Sequence, residues 1–399
     1  MKRYTLNNGL KIIESQRKSD IVTIQATVRV GSNNETPRIA GISHFVEHTV
    51  FEATKNRDSA TIANSIEGLG GDISAFTSNE VTCFYIKIIK KHVGIALDII
   101  SDILINPTFE KKLIEKERKI ILSEINMVQD QPRHYQWILF CKTLFQKFPA
   151  KNPVYGTVEA VKSISQKDLV DYHKKYYTAP NTILSVVGDI PNLKGKISKY
   201  FGKMNNSKIN IKFKEEKLNK FGKNKEKRNI NQSYVVLGYK TSKRNEFDSY
   251  VLDVIRAVLG RGLSGKLFRT IRTEKGLAYD VGIYHDPNVD YGVFAAYFST
   301  NKKNIENCIK LTLEEFQKLK NITDTELVEA KQFLEGDFLL DEEDSQALAN
   351  NLGAWELASK AEDCEDYINK IKKITKKDVI RVVDRYLNKN YSLAIIEQK

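Results

Sequence analysis

The chain has 399 residues, of which 41% are hydrophobic and 28% charged, and its net charge is +13. This length indicates two or three domains, and the composition is that of a soluble globular protein, which excludes a fibrous or disordered chain. The positive charge comes mostly from lysines spread along the chain without an arginine–aromatic cluster. This pattern favours a solvated surface over binding to nucleic acid or anionic lipid.

The N-terminal segment predicts strands. Asn7–Asn8–Gly9 separates two β-rich runs, as in a hairpin, and Ile21 to Val30 alternates apolar and polar residues like a half-buried strand. No signal-peptide pattern precedes the hairpin, and no apolar run is long enough to cross a membrane. The four cysteines are scattered and form no CxxC pair, which is typical of reduced core residues. We therefore expect a cytoplasmic protein without a membrane partner.

The next predicted helix carries His44, Glu47 and His48. Residues four apart lie about 40° from each other on a helix, so the two imidazoles share a face and can bind one Zn²⁺. Glu47 precedes the second histidine and can accept a proton from water beside the metal. This order is the reverse of His-Glu-x-x-His and is typical of inverted zinc proteases. The alternative is a pair of core histidines that bond to neighbouring groups.

A long helix from about Glu110 to Val128 carries Glu117 and Glu124, which lie seven residues apart and therefore share a face. A carboxylate among apolar residues is costly unless it binds a cation. This spacing predicts Glu124 as the third zinc ligand and Glu117 as a residue that orients a ligand. The alternative is that both are surface carboxylates paired with the neighbouring lysines and arginine.

The second part of the chain repeats the element order of the first. Lys90-Lys-His-Val matches Lys302-Lys-Asn-Ile, and Leu113-Ile-Glu-Lys-Glu117 matches Leu327-Val-Glu-Ala-Lys331. A duplication explains this similarity. We expect a catalytic half at 1–202, a Lys/Asn-rich linker at 203–232 and a second half at 233–399. The second half lacks His-x-x-Glu-His and is predicted to be non-catalytic.

Arg272 and Tyr279 are the candidate binding residues of the second half. Gly276 ends a predicted helix between them and Tyr279 opens a strand, so the two side chains can converge at that corner. A guanidinium and a phenol are suitable donors to a substrate carbonyl or to the oxyanion formed from it. The alternative is that Arg272 pairs with Glu274 and Tyr279 belongs to the core.

These motifs together resemble the M16 family of inverted-motif zinc metallopeptidases, and within it the β-subunit of the mitochondrial processing peptidase and its prokaryotic homologues. The resemblance covers nearly the whole chain. It is carried by the opening hairpin, Gly41–Phe51, Phe76–Thr82, the Glu117/Glu124 helix and Arg269–Tyr279. It implies that His44, His48 and Glu124 are the zinc ligands, that Glu47 is the base, and that Glu117 supports the site.

The resemblance further implies that Ala75, Phe76 and Thr77 form an edge strand along which a substrate peptide adds by backbone pairing. It also implies that Arg272 and Tyr279 help to hold substrate. The expected fold is α+β, with two duplicated halves, each a mainly antiparallel sheet with helices packed on one side, which is the LuxS/metallopeptidase-like fold. The halves are expected to form a clam-shell dimer. A homodimer is the simplest assembly, and a heterodimer with a related subunit remains open.

The function predicted from these features is that of a zinc-dependent endopeptidase that hydrolyses small or unfolded peptides in an enclosed chamber. One alternative is a non-catalytic assembly or binding subunit built on the same fold. A second alternative is a nucleic-acid binder that uses the charge of +13.

Overall fold

The computed structural model describes residues 1–216 and 221–399, which divide into two compact units. Each unit is discontinuous in sequence. The first unit consists of Met1–Asn126, Asn152–Lys212 and Asp341–Cys364, and the second of Met127–Lys151, Phe213–Leu340 and Glu365–Lys399. Each sequence half therefore gives one segment to the other unit.

Both units consist of short strands and helices. The strands are Lys2–Thr5 (β1), Lys11–Ser15 (β2), Ile21–Val28 (β3), Asp72–Thr77 (β4), Thr82–Ile89 (β5), Thr182–Val187 (β6), Gly222–Arg228 (β7), Ser233–Thr241 (β8), Ala278–Pro287 (β9), Gly292–Thr300 (β10) and Ser392–Gln398 (β11). The helices of the first sequence half are Ile42–Val50 (α1), Ser59–Glu67 (α2), Val93–Ile105 (α3), Lys111–Asp130 (α4), Pro132–Leu144 (α5), Val158–Ser163 (α6), Gln166–Tyr176 (α7) and Leu193–Phe201 (α8). Those of the second are Phe247–Gly260 (α9), Lys266–Phe268 (α10), Ile305–Lys318 (α11), Asp324–Glu343 (α12), Ser345–Ala358 (α13), Glu362–Glu365 (α14), Tyr367–Lys372 (α15) and Lys376–Tyr386 (α16).

The two sheets share the topology of five strands, and the first sheet has one additional strand, β1. The sheet of the first unit has the strand order β1-β2-β6-β3-β5-β4, and that of the second has the order β7-β11-β8-β10-β9. In both, the central strand β3 or β8 is antiparallel to both of its neighbours, while β2 pairs parallel with β6 and β7 with β11. Five strands thus correspond in order and direction, which supports the duplication. The predicted α+β class with two sheet-and-helix halves is confirmed.

A helix also covers the second face of the first sheet, whereas the sequence predicted helices on one side. Thr23 and Gln25 of β3 point toward α13, where Thr23 Oγ1 lies 2.7 Å from Ser345 Oγ and Gln25 Nε2 donates to Asn350 Oδ1 at 3.2 Å. Successive side chains of a strand point to opposite faces, so the apolar residues between them face the core. β3 is therefore buried on both faces, and the prediction of a half-buried strand here is wrong.

The second sheet is covered by α5 through an apolar contact. Leu139 and Phe140 of this helix join one buried cluster with Val236 of β8 and Ala295 of β10. Because α5 comes from the first sequence half and α13 from the second, these helices belong to the two exchanged segments.

The stretch 203–232, predicted as a linker, contains strand β7, and residues 217–220 within it lie outside the described residues. All four cysteines are free, and Cys83, Cys308 and Cys364 are buried. No helix within the described parts of the chain is both long and apolar enough to cross a membrane.

Candidate active site

Helix α1 carries the histidine motif and is fixed by close packing at the residue that precedes it. Gly41 precedes the helix with φ of 94°, a conformation that favours glycine because it has no Cβ. A Cβ at this position would lie 2.6 Å from the carbonyl oxygen of Tyr155, which is too close for any other residue. Ile42, Phe45 and Val46 are fully buried, so the helix is anchored in the core of the first unit.

Glu35 caps the N-terminus of this helix in place of a side chain at Gly41. Its two carboxylate oxygens accept the backbone N–H groups of Gly41 at 2.6 Å and Ser43 at 2.9 Å. A negative charge at a helix N-terminus is favourable, but burial dominates here and raises the pKa of Glu35 to about 8. The sequence prediction missed this residue, and the only signal for it was that Gly41 cannot cap its own helix.

Three side chains of the first unit could hold a metal ion. His44 Nε2 lies 3.2 Å from His48 Nε2, and Glu124 Oε2 lies 3.7 Å from the first and 3.6 Å from the second. Within the described residues, no other group of three His, Cys, Asp or Glu side chains is placed to do so. The structure therefore brings together the three residues that the sequence predicted as ligands.

The spacing of these atoms fits a zinc ion. Bonds of about 2.0–2.2 Å at tetrahedral angles place neighbouring ligand atoms about 3.3–3.6 Å apart, close to the three separations found here. Nitrogen and carboxylate oxygen are also the ligand types that zinc accepts. The buried Nδ1 of His44 has no hydrogen-bond partner among the described residues, so the polar contacts of this ring are made through Nε2.

Glu117 orients the second histidine. It lies on the same face of α4 as the buried residues Ile114 and Ile121, and its side chain is only 6% exposed. Its Oε2 lies 2.9 Å from His48 Nδ1, which fixes the Nδ1–H tautomer and leaves Nε2 free to bind a metal. The predicted alternative of a surface carboxylate does not describe Glu117, although Lys116 Nζ lies 3.5 Å from its Oε1.

The pKa values of the two histidines are shifted in opposite directions. Burial, together with the charge of His48, lowers the pKa of His44 to about 3, so this imidazole is neutral over the physiological range. Burial would also lower the pKa of His48, but the hydrogen bond to Glu117 and the charges of Glu124 and Glu47 raise it above its usual value. A metal at the site therefore competes with a proton on His48.

Glu47 lies on the same helix as His44 and His48 and is hydrogen-bonded to Thr77. Thr77 Oγ1 donates a hydrogen bond of 2.5 Å to Glu47 Oε2. Burial raises the pKa of Glu47, while this hydrogen bond and the charge of His48 act in the opposite direction. A carboxylate whose pKa is raised by its surroundings is suited to exchanging a proton near neutral pH. The contact with Thr77 was not predicted from the sequence.

The predicted substrate strand is the edge of its sheet. Ala75, Phe76 and Thr77 belong to β4, whose one partner strand among the described residues is β5. Ala75 packs against the core, whereas Phe76 points to the opposite face and is 37% exposed. The free backbone edge of such a strand is the kind of surface to which an extended peptide can add.

Arg272 and Tyr279 lie in the second unit and contact each other. The Arg272 guanidinium stacks on the Tyr279 ring at 4.3 Å from its centre and on Phe268 at 4.9 Å. The alternative pairing with Glu274 is not found among the described residues, where Glu274 instead pairs with Arg269 at 3.5 Å. Tyr279 is 68% exposed and is not a core residue. The predicted helix around them consists of α10 followed by the π-helical turn Arg269–Glu274.

Comparisons with protein families match most of the chain in two blocks. A family model described as "Insulinase (Peptidase family M16)" matches residues 11–158, and one described as "Peptidase M16 inactive domain" matches residues 163–334. The chain is 31% identical to "Uncharacterized zinc protease YmxG" of Bacillus subtilis, with 99% of this chain and 98% of that protein covered. It is 28% identical to an "Uncharacterized zinc protease" of Rickettsia bellii, with 98% and 96% covered.

Two solved structures share the fold. A protease from Helicobacter pylori superposes with a TM-score of 0.93 at 23% identity and covers 99% of both chains. A peptidase M16 inactive domain from Pseudomonas fluorescens gives a TM-score of 0.92 at 19% identity, with 100% of this chain and 98% of that chain covered. At these identities the likeness establishes the fold.

Proposed function

Because this chain belongs to peptidase family M16 and its first unit gathers His44, His48 and Glu124, we propose that it is a zinc-dependent endopeptidase. Its substrates in this proposal are small or unfolded peptides, cleaved in an enclosed chamber. The observation that carries the proposal is the approach of the three ligand atoms to within 3.2–3.7 Å of one another, beside the carboxylate of Glu47.

In this proposal His44, His48 and Glu124 hold the zinc ion, which supplies Lewis-acid polarisation of a peptide carbonyl and makes water more acidic. Glu47 accepts a proton from a water molecule as the water oxygen attacks the carbonyl carbon. Glu47 then returns that proton to the leaving amine nitrogen when the C–N bond breaks. Glu117 keeps the His48 ring in the orientation and tautomer that binding requires.

We assign substrate binding to two surfaces. The backbone edge of Ala75–Thr77 pairs with an extended peptide, which explains how peptides of varied sequence could be accepted. Arg272 and Tyr279 are proposed to donate hydrogen bonds to the substrate, since one is charged and the other largely exposed. The half that carries them is proposed to be non-catalytic. Because one chain carries both sets of residues, we further propose a homodimer in which each protomer completes the site of the other.

A non-catalytic assembly subunit is the second candidate. It is favoured by the description of the matched C-terminal model and of one solved relative as inactive M16 domains. Such a subunit would not need a metal. The complete set of predicted ligands in the first unit argues for the peptidase instead.

The decisive experiment compares the wild-type protein with Glu47→Gln and with the control Glu67→Gln, which changes an exposed glutamate on α2. Zinc content is measured by plasma emission, and cleavage of a mixed set of internally quenched peptides is measured with and without chelator. We expect all three proteins to hold zinc and only Glu47→Gln to lose cleavage, by about 10²–10⁴-fold. Absence of zinc and of cleavage in the wild type would support the assembly subunit, and full activity of Glu47→Gln would reject the base assignment.

A further inference from the structure

Strand β4 contacts the proposed base through a side chain. Thr77 is the last residue of this edge strand, and its Oγ1 donates to Glu47 Oε2 at 2.5 Å. Ala75 and Thr77 point to the same face of the strand, toward α1, because side chains alternate along it. Phe76 between them points away and is partly exposed.

The contact distinguishes the two carboxylate oxygens of Glu47. Within the described residues, the Glu47 carboxylate has one hydrogen-bond partner, the hydroxyl of Thr77. A carboxylate oxygen that accepts a short hydrogen bond is a weaker proton acceptor than the other oxygen of the same group. Oε2 is therefore engaged, and Oε1 remains free.

We propose that Thr77 is a positioning residue that holds Oε2 of Glu47 so that Oε1 faces the reacting water, an inference that rests on the proposed peptidase function. Oε1 takes the proton as the water oxygen bonds to the carbonyl carbon. The hydrogen of Thr77 stays on Oγ1 throughout. Oε1 then gives its proton to the leaving nitrogen as the C–N bond breaks, so Glu47 ends as the carboxylate with which it began.

The position of Thr77 also links substrate binding to the base. The backbone edge of β4 is the surface proposed to pair with the peptide, while the side chain of Thr77 on the same strand holds Glu47. Thr77 would therefore fix the position of Glu47 relative to a peptide that pairs with β4. A misplacement of about 1 Å between reacting groups can lower the rate about 100-fold, so the distance between the bound peptide and Glu47 must be held closely.

The competing interpretation is that the hydroxyl only ties β4 to α1 and stabilises the fold. Thr82 provides a matched control, because it lies directly opposite Thr77 on β5 and is buried. Its Oγ1 donates to the carbonyl oxygen of Val30 at 2.8 Å rather than to a carboxylate. Loss of this hydroxyl reports the structural cost of removing a threonine hydrogen bond at this end of the sheet.

The test compares Thr77→Val, Thr77→Ala, Thr77→Ser and Thr82→Val by zinc content, thermal stability, and kcat and KM on one internally quenched peptide that the wild type cleaves. We expect Thr77→Val and Thr77→Ala to keep zinc and KM but to lose about 10- to 100-fold in kcat. Thr77→Ser should restore kcat, because serine supplies the same donor. Thr82→Val should lose stability without losing kcat.

A crystal structure of zinc-loaded Thr77→Val gives a readout that does not depend on activity. We expect the Glu47 carboxylate to rotate away from the position that it holds in the wild type and in Thr77→Ser. Wild-type kcat in Thr77→Val, a serine variant as impaired as the valine variant, or an unmoved Glu47 would each overturn the inference. If the wild type binds zinc but cleaves no peptide, the peptidase proposal fails separately, and the crystal structures still decide whether Thr77 orients Glu47.

Discussion

Glu117→Gln gives a direct test of how the metal group is supported. The variant keeps the size of the side chain but replaces a buried carboxylate, 6% exposed, with a neutral amide 2.9 Å from His48 Nδ1. A hydrogen bond to a charged group contributes about 1.5–3 kcal/mol, and loss of a residue that supports a metal ligand lowers affinity by about 10- to 100-fold. We expect zinc affinity to fall within that range near neutral pH.

The pH dependence of this loss has a defined sign. Glu117 raises the pKa of His48, so in the wild type a proton competes with zinc more strongly as the pH falls. Glu117→Gln removes part of that competition. The ratio of wild-type to variant affinity should therefore be largest at high pH and shrink as the pH is lowered.

The assay strips the protein of metal and titrates zinc against a chromophoric chelator at several pH values. Glu115→Gln is the matched control, because Glu115 lies on the same helix with a side chain 54% exposed and pairs with Arg118. Equal zinc affinity in Glu117→Gln and the wild type, or an equal loss in Glu115→Gln, would refute the assigned role of Glu117.

Two further predictions concern the start of α1. Because the pKa of Glu35 is raised from 4.5 to about 8 in the folded protein, the unfolded chain ionises first as the pH rises, and metal-free wild type should lose up to about 5 kcal/mol of stability between those values. Urea unfolding at both ends of this pH window should show a smaller loss of unfolding free energy for Glu35→Gln than for the wild type. Equal losses in the two proteins would contradict the assignment. Gly41→Ala should destabilise the fold by more than about 1 kcal/mol because its Cβ meets Tyr155 in addition to the cost of positive φ. Gly70→Ala has positive φ but open space around the Cβ, so similar urea midpoints for the two alanine variants would show that the contact has no effect.

The pair of site residues on each helix could be predicted because its signal is local, whereas the approach of the two helices was implied by the family resemblance. His44 and His48 lie one turn apart, and Glu117 and Glu124 lie two turns apart, so the period of each helix already places the pairs on one face. The contacts of Glu35 and Thr77 could not be predicted in the same way. Each joins a loop or strand to α1 over a separation in sequence that no periodicity describes.

The covering of the first sheet illustrates a different limit. Alternation of apolar and polar residues in β3 predicts that one face of the strand is exposed to solvent. A sequence pattern cannot distinguish such a face from one that forms hydrogen bonds with a polar helix surface. Thr23 and Gln25 are buried because α13 supplies Ser345 and Asn350 as partners. Polarity alone therefore gave the correct strand and the wrong environment.

The exchange of segments between units has a consequence for the order in which a nascent chain can fold. The sheet of the second unit is covered by α5, which is synthesised before the strands of that sheet, so a cover for its apolar face is already available when they pair. The sheet of the first unit must wait for α13, almost at the end of synthesis. The face that waits is lined by threonine and glutamine, which water can solvate until the late helix arrives.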